Sequence, residues 1–259
     1  MPESIPAYGL WTLVIISFLV SIMFVFSFTR PKTVRLWPFA VFLVFSLALT
    51  DASSADCYDK RKPGMDWSGC KKTGKLLTNQ NFSKGDFSRT DFSHSNLENT
   101  NFTDARMAKS ELFDANLDNG NFTGTDLSEA TGHQASFSKA LFADTRMPNS
   151  EFFQASFQGA RFTNVDLSHS ELARANFTNA ELESVNFAFS NLARASFKGS
   201  RLVNVSFGEA HTYLTGFEDS NLVEVSQLTQ AQLEDACGND GTQLPKGLVR
   251  PASWPCKDR

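Results

Sequence analysis

Between Phe82 and Gln227 a large apolar residue recurs at every fifth position without a phase slip. The series begins Phe82, Phe87, Phe92, Leu97, Phe102 and fills thirty slots; 27 hold Phe, Leu or Met, and only Gly132, Thr212 and Gln227 do not. A second series runs beside it, because the residue two before each slot is Ala, Ser, Thr, Gly or Val in every case but Gln80. Period five suits neither an amphipathic helix nor a flat, half-buried strand. Self-similarity at a fixed period is instead the mark of a solenoid, whose units bury their apolar faces only against their neighbours.

Quoted in place, Ala115-Asn116-Leu117-Asp118-Asn119, Val165-Asp166-Leu167-Ser168-His169 and Ala175-Asn176-Phe177-Thr178-Asn179 resemble the A-[DN]-[LF]-x-x consensus of the pentapeptide-repeat family. The resemblance spans residues 80–227 and implies an all-β fold, a right-handed quadrilateral β-helix in which four pentapeptides make one coil. Residues twenty apart then stack. Seven and a half coils at the spacing of hydrogen-bonded strands give a rod about 36 Å long. On this geometry Phe82, Phe102, Phe122, Phe142 and Phe162 form one internal column and Phe137, Phe157, Phe177, Phe197 and Phe217 another. Each ring buries roughly 150–250 Å², which accounts for the high Phe content as core and leaves an interior too narrow for a ligand.

The solenoid divides the chain into a hydrophobic head at 1–55, an N-terminal cap at 56–79, the repeats at 80–227 and a C-terminal cap at 228–259. No charged residue falls between Leu10 and Phe28, a run long enough to cross a bilayer core of about 30 Å. Arg30, Lys32 and Arg35 follow, and then a second apolar run from Leu36 to Leu49. Two readings stay open. Either both runs form a transmembrane hairpin with the basic loop inside, or translation from Met23 makes Leu36 to Leu49 a signal segment that is cleaved after Ser53-Ser54-Ala55. The hairpin reading uses the membrane as a partner through residues 10–49. Either also exports the rod, anchored at the bacterial inner membrane with the repeats in the periplasm, or released there.

Cysteine placement agrees with export, since Cys57 and Cys70 precede the repeats, Cys237 and Cys256 follow them, and none lies inside. An even count in an exported chain reads as disulfides. With the pairs at opposite ends of the rod and a reach of about 7 Å between bridged Cα atoms, the expected pairing is Cys57 with Cys70 and Cys237 with Cys256. Trp67 and Leu77 keep the five-residue phase and are expected to fold over the first coil. Beyond Gln227 the phase slips by one to Leu228 and Leu233, and Thr229 to Ala236 reads as a short capping helix.

Function must then lie on the outside of the rod. Asp86, Arg106, Asp126, Arg146 and Asp166 form an alternating charge ladder, read as register-setting because exposed pairs contribute about 1 kcal/mol at most. A second side stacks Asp91, Glu111, Glu151 and Glu171 in one outward column and Phe113, His133, Phe153 and Tyr213 in the next, with the core gaps Gly132 and Thr212 on the same side. Acids flanked by exposed aromatics suit a protein partner.

No catalytic, cofactor or metal site is expected: the histidines on one side are about 10 and 19 Å apart along the axis, and nucleophile-elbow, phosphate-loop and H-E-x-x-H motifs are missing. The expected role is a non-enzymatic extracytoplasmic scaffold or protein-binding module, a subunit or docking element of a membrane complex, with no nucleic acid bound. The family resemblance supplies the alternative, a DNA-mimicking protein that binds DNA gyrase. Residues 76–236 carry 21 acids and 11 bases, a net charge of 11 − 21 = −10, about half the roughly 21 charges of B-DNA over the same length.

Overall fold

The computed structural model divides into two units, residues 1–53 and 54–259, and the structure describes residues 57, 58 and 60–256, all within the second. That second unit is a right-handed β-solenoid. Each turn of backbone pairs in parallel with the turn twenty residues later, from Asp66 with Asp86 to Ser196 with Gly216. Along one side the pairing is continuous enough to form strands: β1 (Leu141–Ala143), β2 (Arg161–Asp166), β3 (Glu181–Asn186), β4 (Arg201–Ser206) and β5 (Asn221–Ser226), ordered β1-β2-β3-β4-β5 in one parallel sheet. Phe142 faces Phe162, Phe162 faces Leu182, and Leu182 faces Leu202. Pairing begins at Asp66, so the residues around Trp67 and Leu77 already run as a coil.

The five-residue unit turns a corner because each of its positions has a separate task. The slot residue points inward; from Phe82 to Leu222 the apolar slot side chains are almost wholly buried. Two residues later the chain takes a positive φ, from Asn79 at 57° to Asp219 at 57°, and many of these positions hold Asn, Asp or Gly, which enter this region at least cost. One residue before the slot, Asn or Asp accepts the N–H two residues on, as Asp86 does from Ser88 at 3.0 Å and Asn116 from Asp118 at 3.0 Å. This is the Asx turn, and it explains the [DN] position without reference to charge. Two residues before the slot, Thr hydroxyls reach back to a slot carbonyl of the preceding coil: Thr90 to Trp67, Thr125 to Phe102, Thr145 to Phe122 and Thr215 to Leu192, all within 2.8 Å. Buried polar atoms that close such bonds avoid a desolvation penalty of about 1–3 kcal/mol.

Stacked phenylalanines fill the interior. Phe142 and Phe162 lie 4.7 Å apart at 9° and Phe177 and Phe197 4.8 Å apart at 2°, one coil spacing in each case. Edge-to-face contacts such as Phe157 with Phe162 at 5.6 Å join the columns. The core gaps have local causes. A Cβ on Gly132 would stand 2.5 Å from the Phe152 ring, so the missing side chain makes room for the ring one coil on. Thr212 is buried and donates its hydroxyl to the Gln232 carbonyl at 2.8 Å, joining the last coil to the tail.

The additions to the expected fold class are corrected. Among the described residues no helix is long and apolar enough to cross a membrane, because their backbone hydrogen bonds run between coils. The apolar runs within 10–49 lie outside the described residues. The transmembrane segment, the membrane as a partner and the inner-membrane or periplasmic placement therefore have no support in the described residues. At the C-terminal end the short helix expected over Thr229 to Ala236 forms, but it is not what covers the edge. The only helix among the described residues, α1 (Gln230–Asp235), is six residues long and begins at a capping box on Thr229. Extended backbone covers the edge: Cys237 pairs with Gly216 and Gln243 with Asn221, while Trp254 packs down on Gly238 and donates Nε1–H to the Ala236 carbonyl at 2.7 Å. Covering the last rung in this way removes a template for edge-to-edge pairing. Disulfides tie each end, Cys57 to Cys70 and Cys237 to Cys256, with Cα atoms 5.6 Å apart in both.

Candidate protein-binding faces

The side that carries the acidic and aromatic columns brings only part of its expected set together. Phe113 meets His133 edge to face at 5.1 Å, and His133 meets Phe153 in the same way at 6.1 Å. All three rings are outside the core and partly exposed, Phe153 to 37 %. His133 Nε2 lies 3.4 Å from Glu151 Oε2, which fastens the aromatic column to the acidic one. Backbone pairing of Glu111 with Thr131, Thr131 with Glu151 and Glu151 with Glu171 keeps these acids in one vertical ladder.

Two expected members stand apart. Asp91 accepts the Thr73 hydroxyl at 2.7 Å and the Ser93 N–H at 2.9 Å. Burial pushes its carboxyl up, but these bonds outweigh burial and hold it below its usual value. Its charge is committed to the fold. Tyr213, 49 % exposed, is separated from Phe153 by the small side chains of Ala173 and Ala193; its ring lies parallel to that of His211, with centroids 6.4 Å apart. Gly132 and Thr212, explained above by packing and by the tail, no longer mark this side as special.

On the ladder of alternating charge, Arg106 grips Asp86 through Nη2 at 2.7 Å and Nε at 3.2 Å, whereas Asp126 and Asp166 accept turn N–H groups from Ser128 and Ser168. Partial burial pushes the Asp86 carboxyl up, and the bonds from Arg106 and Ser88 more than reverse it.

The sequence reading passed over Phe189. It occupies the positive-φ position of its repeat at 59° and is 58 % exposed, with its ring flat on His169 at 5.0 Å and 6°. Its signal was available, since Phe and Leu214 are the only large apolar residues at positions otherwise held by polar residues or glycine. Beside it a groove of about 570 Å³ opens between the last coils and α1. Elsewhere, among the described residues, no three His, Cys, Asp or Glu side chains converge as metal ligands.

Two sequence patterns of known proteins match the chain: the pentapeptide repeat region over residues 130–207, and pentapeptide repeats in eight copies over residues 76–107 and 110–149. No curated protein matches it. Among solved structures it is similar to HetL, a pentapeptide repeat protein involved in heterocyst differentiation regulation from the cyanobacterium Nostoc, at 17 % identity over 76 % of this chain and 89 % of that one, with a TM-score of 0.45. It is also similar to full-length QnrB1, a plasmid-mediated fluoroquinolone resistance protein, at 22 % identity over 71 % and 93 %, with a TM-score of 0.48. A pentapeptide repeat protein of the Arabidopsis thaliana thylakoid lumen matches at 28 % identity over 42 % and 69 %, with a TM-score of 0.23. With a five-residue period, a four-sided coil and matched residues 76–107 and 110–207, this chain belongs to the pentapeptide-repeat family.

Proposed function

We propose that this protein is a rigid protein-binding scaffold whose docking face is centred on Phe113, His133 and Phe153 and flanked by Glu111, Glu151 and Glu171. The observation that carries this reading is the three-ring column, whose aromatics contact one another on the outside of a core that is already full. Aromatics anchored by neighbours lose little side-chain entropy when a partner covers them, which is why they concentrate binding energy at interface centres. The coils beneath hold the rings at one-coil intervals, so the face is organised before it is bound. Phe113→Ser with Phe153→Ser is expected to leave thermal unfolding within about 1 kcal/mol of the parent and to remove the partner captured from source-cell lysate. In the parent complex, hydrogen exchange should slow over residues 111–114, 131–134 and 151–154. Capture that survives the double substitution with no protection in those segments would move the face elsewhere.

A second reading rests on a different observation, the excess of acids along the rod, 21 against 11 bases over residues 76–236. On that reading the partner is DNA gyrase and the rod occupies the channel meant for DNA. Purified protein added to a supercoiling assay with and without a fluoroquinolone separates the two: a concentration-dependent inhibition or protection supports gyrase, and unaltered supercoiling supports a partner that reads the aromatic face.

A further inference from the structure

The groove beside Phe189 has the composition of a cation site and lies on a different side of the coil from the aromatic column. Its walls include Phe189, Gly208 and Glu209 from the last coils and Gln227 and Gln232 from the tail and α1. One face of the Phe189 ring is covered by His169, one coil before. Glu209 stands one coil after Phe189 in the same outward column, so the other face looks towards the row of its carboxylate. Glu209 is exposed and forms no ion pair among the described residues.

The small residues are part of the construction. A Cβ on Gly208 would stand 2.5 Å from the Gln227 Oε1, so glycine there lets Gln227 lie across the floor, where its Oε1 accepts the Ser206 hydroxyl at 2.7 Å. Gln232 is fixed in the opposite wall by donating its Nε2 hydrogens to the carbonyls of Phe207 and Ala210 at 2.8 and 2.9 Å.

We propose that this groove takes an arginine side chain from an extended segment of a protein partner. A flat guanidinium satisfies the three features together: it stacks on an aromatic face, donates in its own plane to a carboxylate, and leaves further N–H groups for an amide oxygen such as Gln227 Oε1. An ammonium is a point charge with a tighter hydration shell and uses the ring face less well. The volume, about 570 Å³, accommodates the side chain with the backbone that carries it. The inference rests on the protein-binding reading above, and it assigns that partner a basic contact separate from the aromatic face.

The test needs no knowledge of the partner. The peptide Gly-Gly-Arg-Gly-Gly is titrated into the full chain labelled at phenylalanine, with citrulline and lysine versions as comparators. Saturable shifts of the Phe189 ring signals are expected with arginine, weaker binding by several fold with lysine, and none with the uncharged citrulline peptide. Glu209→Gln should weaken the arginine peptide by up to about fivefold, the scale of one exposed ion pair. Phe189→Asn, which keeps a residue suited to positive φ, should weaken it to a similar degree, and Glu151→Gln should leave it unchanged. Equal binding of arginine and citrulline peptides, or indifference to both groove substitutions, overturns the proposal. Peptide binding reads the groove and partner capture by the Phe113→Ser, Phe153→Ser variant reads the aromatic face, so loss of one prediction with the other intact tells which reading has failed.

Discussion

At the residue scale, the outward acids divide into those that build corners and those that face solvent. Asp86 is of the first kind, bonded to Ser88 and Arg106. Its carboxyl titrates lower in the folded protein than in the unfolded chain. The stability it contributes is therefore fully present above the ordinary carboxylate range and is lost as pH falls through the folded value. Asp86→Asn keeps the turn acceptor and removes the charge. It should lower stability by about 1 kcal/mol or less near neutrality, and the gap from the parent should close in melts taken in acid below the ordinary carboxylate range. A gap that persists in acid would mean that the pair with Arg106 contributes little. Phe189 is the opposite case, a bulky residue held at φ 59°, a conformation that costs a non-glycine residue on the order of 1 kcal/mol. Phe189→Asn is expected to raise the melting temperature by a few degrees even as it removes the proposed arginine contact. A lower melting temperature would show that the stack on His169 outweighs the backbone cost.

At the scale of the coil, the interior behaves as a column in which each layer fits the next. Gly132 and Phe152 are one such fit. Gly132→Ala forces a methyl against a ring that is confined on all sides, and should destabilise by about 1–3 kcal/mol. Phe152→Leu in the same chain should return part of the loss, because the smaller side chain leaves the methyl its space; urea unfolding of the single and double variants measures the coupling. Independent, additive losses would place the Gly132 effect in the backbone and not in the ring contact. The slot pattern, the small residue two before it and the turn acceptor one before it were all legible in the chain, because each is set by contacts that repeat every twenty residues. The fit of Gly132 to Phe152 was not, since its cause lies one coil away and occurs once.

For the whole solenoid, stability is a sum of coils plus their interfaces, and opening begins where a neighbour is missing. The disulfides Cys57–Cys70 and Cys237–Cys256 close the two ends. Reduction should speed hydrogen exchange first at residues 66–80 and 215–245 and leave the central coils near Phe142 protected. Uniform acceleration along the chain would show that the bridges act on global stability.

The sequence by itself determined the repeat, the inward and outward positions and the place of the cysteines at the two ends, because a strict period leaves the chain one way to bury its apolar residues. Only the tertiary structure decided which outward side chains meet. It joined Phe113, His133 and Phe153, separated Tyr213 from them, committed Asp91 to a turn, and formed the groove at Phe189 from the last coils and the tail. These depend on side-chain rotamers and on how the tail packs back on the last coils, and neither is carried by a periodic pattern.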